Sequence, residues 1–184
     1  DTNGVDSGIV FVSEVASTVY GEPSVDIDRN WAAVGVPADD VVYVLRHDGT
    51  SWSQVQQIDG PVGTSFGADV SIRRRILVVG APGDDTLGVD AGAAYHFRRA
   101  GSSTTFSPVS SDGDFTDAGS VGPGDLFGFS VATGTDSILI GAPGDDTDGV
   151  LGGAVHVYTG ADSASTLPSY EQTRYDGIAG SQFG

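Results

Sequence analysis

The fold is decided by the stretch Ile76-Leu77-Val78-Val79-Gly80-Ala81-Pro82-Gly83-Asp84-Asp85-Thr86. Its apolar run suits a strand buried on both faces, and Gly-Ala-Pro ends the run because proline cannot donate to a sheet ladder. The stretch returns at residues 138–147, and the interval from Gly80 to Gly141 is 61 residues. A degenerate copy occupies residues 31–40. The chain is therefore built from three tandem repeats.

Each repeat contains the segments for four strands. Phe66-Gly67 and Phe127-Gly128 are predicted to open the first strand, and the Gly-Ala-Pro run is the second. Residues 41–45 and 154–158 predict the third strand, while 51–58 alternate as expected for the fourth. One repeat is thus a four-stranded antiparallel sheet. Such sheets bury their faces by stacking, and radial stacking makes a β-propeller.

The repeats also predict domain boundaries. Asp1-Thr2-Asn3-Gly4-Val5-Asp6 matches the segment 85–90, and Phe183-Gly184 stands where a new repeat would open. We therefore expect an all-β fold of propeller-type blades, with three repeats and partial strands at both ends. The predicted units are a partial blade at 1–19, blades at 20–65, 66–126 and 127–182, and the start of a further repeat at 183–184. Flanking repeats or other copies of the chain are expected to complete the ring.

The composition excludes several functional classes. The chain holds 25 acids and 8 bases, all arginine, for a net charge of −17. Such a surface repels nucleic acid and anionic membranes. No apolar run is long enough to insert into a membrane, and the absence of cysteine excludes disulfides and thiolate metal sites.

Phe-Gly followed by Gly-Ala-Pro at this spacing resembles the FG-GAP repeat of integrin α subunits and of secreted or surface-anchored bacterial and archaeal proteins. The resemblance implies a propeller fold, an extracellular or cell-surface location, and a role in adhesion or recognition. It implies no reaction, so we predict that the chain is not an enzyme.

Integrin-type blades often hold calcium in the hairpin between the first two strands, in a loop of the pattern D-x-[DN]-x-[DN]-G-x-x-D. The corresponding turns here, 26–30, 73–75 and 133–137, are too short, and the second contains three arginines. The family's calcium loop is therefore not expected.

A second candidate calcium site is formed by the acidic pairs after Gly-Ala-Pro. Adjacent carboxylates with nearby carbonyls supply the oxygen ligands that calcium takes. The predicted ligands are Asp39, Asp40, Asp84, Asp85, Asp145 and Asp146. The alternative is that these aspartates brace tight turns. A second candidate oxygen cluster consists of Asp112, Asp114 and Asp117. The alternative for these three residues is a solvated loop.

Neither the acids nor the histidines suggest catalysis. The acidic pairs recur in every repeat, whereas a catalytic group normally appears once. Alignment of Gly92 with Gly153 places His156 opposite Tyr95, while His96 points to the other sheet face. No shared histidine site is predicted.

The basic run Arg73-Arg74-Arg75 has two interpretations. It forms local ion pairs with neighbouring aspartates, or it docks onto acidic loops of another subunit or repeat.

Two functions therefore stay open, beside a third option in which the repeats are an accessory domain of an enzyme. The first is a non-catalytic extracellular module that recognises a protein or glycan. The second is a structural subunit of an extracellular filament or surface assembly, whose partner is a further copy of the chain.

Overall fold

The computed structural model describes residues 21–109, 115, 121–147 and 152–161, and the backbone of 169–175. Within these ranges the chain forms β-strands and no helix. The strands are β1 (Ser24–Asp28), β2 (Trp31–Val36), β3 (Val41–His47), β4 (Trp52–Asp59), β5 (Val70–Arg73), β6 (Ile76–Ala81), β7 (Ala93–Arg99), β8 (Phe106–Pro108), β9 (Ser130–Thr133), β10 (Ser137–Ala142), β11 (Ala154–Thr159) and β12 (Ser169–Tyr175).

The strands form three antiparallel sheets in which chain neighbours pair. Their orders are β1-β2-β3-β4, β5-β6-β7-β8 and β9-β10-β11-β12, and we name them blades 1, 2 and 3. The predicted all-β fold of tandem four-stranded blades is confirmed. The described blades do not form a closed ring, so propeller closure stays a prediction.

The predicted blade boundaries also stay predictions. The strands of the three blades lie within 20–65, 66–126 and 127–182. The predicted partial units at 1–19 and 183–184 lie outside the described residues.

The sequence predicted that Phe-Gly opens the first strand of its blade, and this prediction is wrong. β5 begins at Val70 and β9 at Ser130, so each Phe-Gly pair lies in the turn before the strand. The reason is conformational: φ is 95° at Gly67 and 85° at Gly128, a left-handed backbone that is not extended.

Two apolar cores lie between the blades, one between blades 1 and 2 and the other between blades 2 and 3. β6 contributes to both, because successive side chains of a strand point to opposite faces. Leu77 and Val79 enter the first core, whereas Ile76 and Val78 enter the second. Every residue of β6 is buried, as predicted for the central apolar run.

The phenylalanine of each Phe-Gly pair anchors one of these cores. Phe66 is 1% exposed and packs edge to face on Tyr95, with ring centroids 5.3 Å apart. Phe127 is fully buried and packs in the same manner on His156 at 5.0 Å.

The glycines of the two motifs meet across the blade junctions. A Cβ on Gly35 would overlap the carbonyl oxygen of Gly67, and a Cβ on Gly80 would overlap that of Gly128. The Gly-Ala-Pro glycine of one blade thus admits the Phe-Gly backbone of the next blade. This close approach explains why the two motifs occur together.

The first strand of each blade, which we call its inner strand, is joined to the next blade by side chains that hydrogen-bond to backbone amides there. Asp26 Oδ2 accepts a hydrogen bond from Ile72 N at 2.8 Å. In the next blade, Asp69 Oδ2 accepts from Val131 N at 2.7 Å. Burial raises the pKa of Asp69 despite the backbone donors that oppose this effect. Two residues further along, Arg74 N donates to Asp28 Oδ2 and Thr133 N donates to Ser71 Oγ, so β1, β5 and β9 lie side by side and run in the same direction.

Replacing Asp69 tests this joint. Asp69→Ala leaves the amide of Val131 without its acceptor, and we expect a loss of about 2 kcal/mol in the free energy of unfolding. Asp69→Asn keeps an acceptor oxygen and should cost less. Urea denaturation measures both values. Equal losses in the two variants would show that the hydrogen bond does not join the blades.

Candidate functional site

The parallel inner strands give the described blades two chemically different edges. The turns that follow β2, β6 and β10 lie at one edge, which we call the acidic edge. The tips of the β1-β2 and β5-β6 hairpins and the loops after β3 and β7 lie at the other, which we call the arginine edge.

Asp84 is a buried member of the acidic edge, with 4% of its surface exposed. Its Oδ1 accepts from Thr86 N at 2.8 Å, which closes an Asx turn. Its Oδ2 accepts from the Tyr95 hydroxyl at 2.9 Å. The neighbouring Asp85 is exposed, and its Oδ1 accepts from Asp90 N at 2.8 Å.

Asp145 repeats this arrangement in blade 3. It is 1% exposed, and its Oδ1 accepts from Thr147 N at 2.9 Å. Its Oδ2 lies 3.6 Å from Nε2 of His156, the residue equivalent to Tyr95. Asp146, like Asp85, is exposed. The sequence aligned Tyr95 with His156 but did not reveal that each faces the first aspartate of its pair.

Blade 1 differs from the other two blades. Here Asp39 is exposed and the second aspartate, Asp40, is half-buried. Asp40 Oδ2 accepts from Gly63 N at 2.6 Å, and its Oδ1 accepts from Phe66 N at 3.0 Å. Asp40 therefore fastens the link between blades 1 and 2.

All six predicted calcium ligands thus lie at the acidic edge, and Asp40, Asp84, Asp85 and Asp145 accept hydrogen bonds from turn amides. Among the described residues, no group of three or more histidine or acidic side chains is arranged to hold a metal ion. The calcium site stays a prediction. Asp112, Asp114 and Asp117 lie outside the described residues.

A cleft of about 460 Å³ opens at the acidic edge between blades 1 and 2. Pro61 and Gly63 of the blade link form one wall, while Asp84, Thr86 and Tyr95 form the other. The cleft combines carboxylate, hydroxyl and backbone groups. Its chemistry suits neutral or cationic ligands that donate hydrogen bonds.

Asp125 is a further acid at this edge that we did not single out from the sequence. It is 4% exposed, and its Oδ2 accepts from Gly122 N at 2.6 Å. Burial raises the pKa of Asp125 to about 6; the charges of Asp145 and Asp146 add to the rise, and the Gly122 amide opposes it. The carboxyl group is therefore costly to ionise in the folded chain.

His96 and His156 are both fully buried in the blade structure. His96 stacks on Phe115 at 5.7 Å, in the core between blades 2 and 3. Within the described residues neither ring nitrogen of His96 has a hydrogen-bond partner. Burial, and then the charge of Arg98, lowers its pKa to about 4. His96 is a neutral core residue at pH 7.

The arginine edge holds a second pocket, of about 350 Å³, at the same blade junction. We name it the arginine pocket. Its lining includes Arg29 from the blade 1 hairpin, Arg74 and Arg75 from the blade 2 hairpin, and Arg98 and Arg99 from the end of β7. The sequence singled out the run 73–75, but the other arginines were hidden by their distance along the chain.

Arg99 forms the floor of the arginine pocket. Its guanidinium carbon lies 4.5 Å from the centre of the Trp31 ring, a cation–π contact. Its Nη1 donates to the carbonyl oxygens of Gly101 and Ser103 at 2.9 and 3.2 Å. Burial lowers the pKa of Arg99, and the charges of Arg75 and Arg46 lower it further.

Two segments of the chain, residues 52–97 and 117–158, match the profile of the FG-GAP repeat. No curated protein matches the sequence. Among the described residues, no helix is long and apolar enough to span a membrane. The first matched segment begins at Trp52 of β4 and ends at Phe97 of β7, so it crosses the junction between blades 1 and 2. The two matches and the tandem all-β blades together support an FG-GAP repeat protein.

Proposed function

We propose that the chain is a non-catalytic, extracellular recognition module of the integrin α-like type, which binds a protein or glycan at its acidic edge. The FG-GAP matches support the class of module. The cleft between blades 1 and 2 supports the place of binding, because it is the concave polar surface that the blade-connecting turns create. The acidic pair Asp84 and Asp85 in its lining disfavours anionic ligands.

The buried polar contacts beneath the cleft support a preformed site. Asp84 is held by Thr86 N and the Tyr95 hydroxyl, so the wall of the cleft is ordered before a ligand arrives. A preformed site avoids the entropic cost of ordering side chains on binding.

Blocking the cleft tests the proposed function. Thr86 is exposed, so Thr86→Trp should fill the cleft without disturbing the core. We expect the unchanged chain to bind at least one ligand on an array of neutral and amino-sugar glycans and of lysine- and arginine-containing peptides. The variant should bind that ligand at least about tenfold more weakly, the equivalent of 1.4 kcal/mol.

Thr50→Trp is the matched control, because Thr50 is exposed in the β3-β4 loop at the opposite edge. It should bind as the unchanged chain does. If the chain binds nothing on the array, or if Thr86→Trp binds normally, recognition through this cleft is wrong.

A second candidate function, a subunit of an extracellular filament or surface assembly, is favoured by exposed apolar residues on the outer blades. Val25 and Ile27 of β1 are 73% and 61% exposed, and Phe129 and Leu139 of blade 3 are 42% and 39% exposed. The equivalent positions of blade 2, Val70, Ile72 and Val78, are buried against the neighbouring blades. Blades from other copies of the chain would cover the exposed positions of blades 1 and 3.

A further inference from the structure

The basic side chains of the chain gather at one end of its strands, where they outnumber the acids Asp28, Asp48 and Asp136. Seven of the eight basic residues lie at the arginine edge or at the strand ends that form it: Arg29, Arg46, Arg73, Arg74, Arg75, Arg98 and Arg99. The eighth, Arg174, lies in β12 of blade 3. The acidic edge gathers Asp39, Asp40, Asp59, Asp84, Asp85, Asp90, Asp125, Asp145 and Asp146. A chain of net charge −17 thus keeps one basic end.

The backbone at this basic end is unusual. Arg29 and Arg74 stand at equivalent places in adjacent hairpins, and both are left-handed, with φ of 59° and 56°. Glycine or asparagine would adopt this conformation with less strain. Arginine at both tips is therefore not explained by the needs of the turns.

The arginines at the mouth of the pocket lack acidic partners. Within the described residues, no carboxylate forms a salt bridge with Arg29, Arg74 or Arg75. Asp28 is the acid in the pocket lining, and its Oδ2 already accepts from the backbone N of Arg74 at 2.6 Å. The prediction of local ion pairs is therefore not supported for Arg74 and Arg75. Their guanidinium groups are available to an external oxyanion.

We propose that the arginine pocket binds the aspartate carboxylates at the acidic edge of a second copy, so that copies join end to end. The inference rests on the second proposed function and names its contact. Both surfaces lie over the same junction: Arg29 and Arg74 span blades 1 and 2 at one edge, while Asp85 lines the cleft between blades 1 and 2 at the other. A shift along the strands therefore brings the basic end of one copy onto the acidic end of the next.

This contact joins two different surfaces, so it does not close on itself. Each added copy leaves one free arginine pocket and one free acidic edge, which is the condition for an open filament. The net charge of each copy opposes association at low salt, where repulsion reaches about 30 Å at 0.01 M. At about 0.1 M the range falls to about 10 Å and contact pairs persist. Association should therefore be strongest at intermediate salt and decline toward 1 M.

Paired variants test the proposal by sedimentation velocity at 0.1 M sodium chloride. We expect the unchanged chain to show a mass that rises with concentration. Arg74→Gly with Arg75→Ser removes two pocket charges, and glycine suits the φ of residue 74, so the fold should persist. This variant should remain a monomer of 18.7 kDa. Arg46→Ser with Arg73→Ser removes equal charge outside the pocket lining and should weaken association far less than the pocket variant does.

The complementary variant is Asp85→Asn with Asp90→Asn. Asparagine at position 85 keeps the acceptor for residue 90 N, and asparagine tolerates the φ of 53° at position 90. This variant should also be monomeric alone. Mixed with the arginine-pocket variant, it should form a one-to-one dimer that does not grow, because each partner retains the surface that the other has lost. Sodium sulfate at equal ionic strength should weaken the contact more than chloride does.

Several outcomes would overturn the proposal. One is an unchanged chain that stays monomeric at every salt concentration. Another is that such a monomer binds dextran sulfate through the pocket, which would make the pocket a site for a different polyanion. If the arginine-pocket variant associates normally, copies join elsewhere; a face containing Val25 and Ile27 would still permit the second proposed function.

Discussion

Replacing Gly80 with alanine is expected to lower the free energy of unfolding by about 3 kcal/mol, the upper part of the range for overpacked cores. A Cβ at this position would overlap the carbonyl oxygen of Gly128, which belongs to the backbone of the next blade. Backbone cannot rotate away as a flexible side chain can. Blades 2 and 3 must therefore separate, which weakens the core that holds Phe127. Urea denaturation followed by far-ultraviolet circular dichroism measures the loss.

Gly122→Ala is the matched control for Gly80→Ala. A Cβ on Gly122 has one neighbour within 4 Å, Asp125 Oδ2 at 3.7 Å, and its φ does not require glycine. This substitution should change stability by less than about 1 kcal/mol. If Gly80→Ala unfolds at the same urea concentration as Gly122→Ala, the contact between the two motifs does not hold the blades together.

Much of the fold follows from the sequence because the same strand pattern recurs from one repeat to the next. The apolar run before Gly80 predicts a central strand, and the equal run before Gly141 removes the ambiguity that a single run would leave. The conformation of Phe-Gly was not predictable in the same way. An aromatic residue next to an alternating segment looks like a strand, whereas the left-handed turn goes with the close approach of Gly67 to Gly35, a contact between blades that the sequence does not show.

The joints between inner strands could not be predicted from the sequence alone. Asp26 and Asp69 look like ordinary polar residues of strands with one solvated face. Their role depends on which amide of the next blade lies opposite them, and that is a property of blade stacking. The acidic pairs were placed correctly at the turns after Gly-Ala-Pro. The contacts of Asp84 with Tyr95 and of Asp145 with His156 could have been predicted, because both pairs are separated by the same interval along the chain.

The arginine pocket could not be predicted from the sequence for a different reason. Arg29, Arg74 and Arg99 are far apart along the chain, and only the alternation of strand directions brings them to one edge. Assigning every charged residue to one edge or the other of the predicted strands would have shown that the arginines gather at one edge. The sequence run 73–75 pointed to the right edge but not to the pocket.

Replacing His96 with leucine is expected to stabilise the chain, and more so in acid. The folded pKa of His96 is about 4, below the ordinary value of 6.5. The unfolded chain therefore binds a proton first, and the stability that the neutral ring contributes at neutral pH is lost as the pH falls from 6.5 to 4. This difference between the folded and unfolded pKa corresponds to a loss of about 3 kcal/mol in the free energy of unfolding at pH 4. Leucine has no proton to bind and leaves no buried ring nitrogen unpaired.

The measurement is the urea-unfolding free energy of both chains at pH 7.5, 6, 5 and 4. The advantage of His96→Leu over the unchanged chain should grow steadily below pH 6.5. An advantage that is the same at every pH would mean that His96 does not resist protonation, and that packing alone distinguishes the variant.

Asp125→Asn provides a control with the opposite sign. The folded pKa of Asp125 is about 6, above its ordinary 3.8, so the stability it contributes is fully present below pH 3.8 and is lost as the pH rises through 6. Asparagine resembles the neutral acid and can still accept from Gly122 N. This variant should therefore be more stable than the unchanged chain at pH 7.5, with an advantage that shrinks toward pH 4. A general change of surface charge with pH would act alike on the unchanged chain and on both variants, and would give neither variant a pH-dependent advantage. Opposite trends in the two variants would therefore assign the pH dependence to these two buried groups.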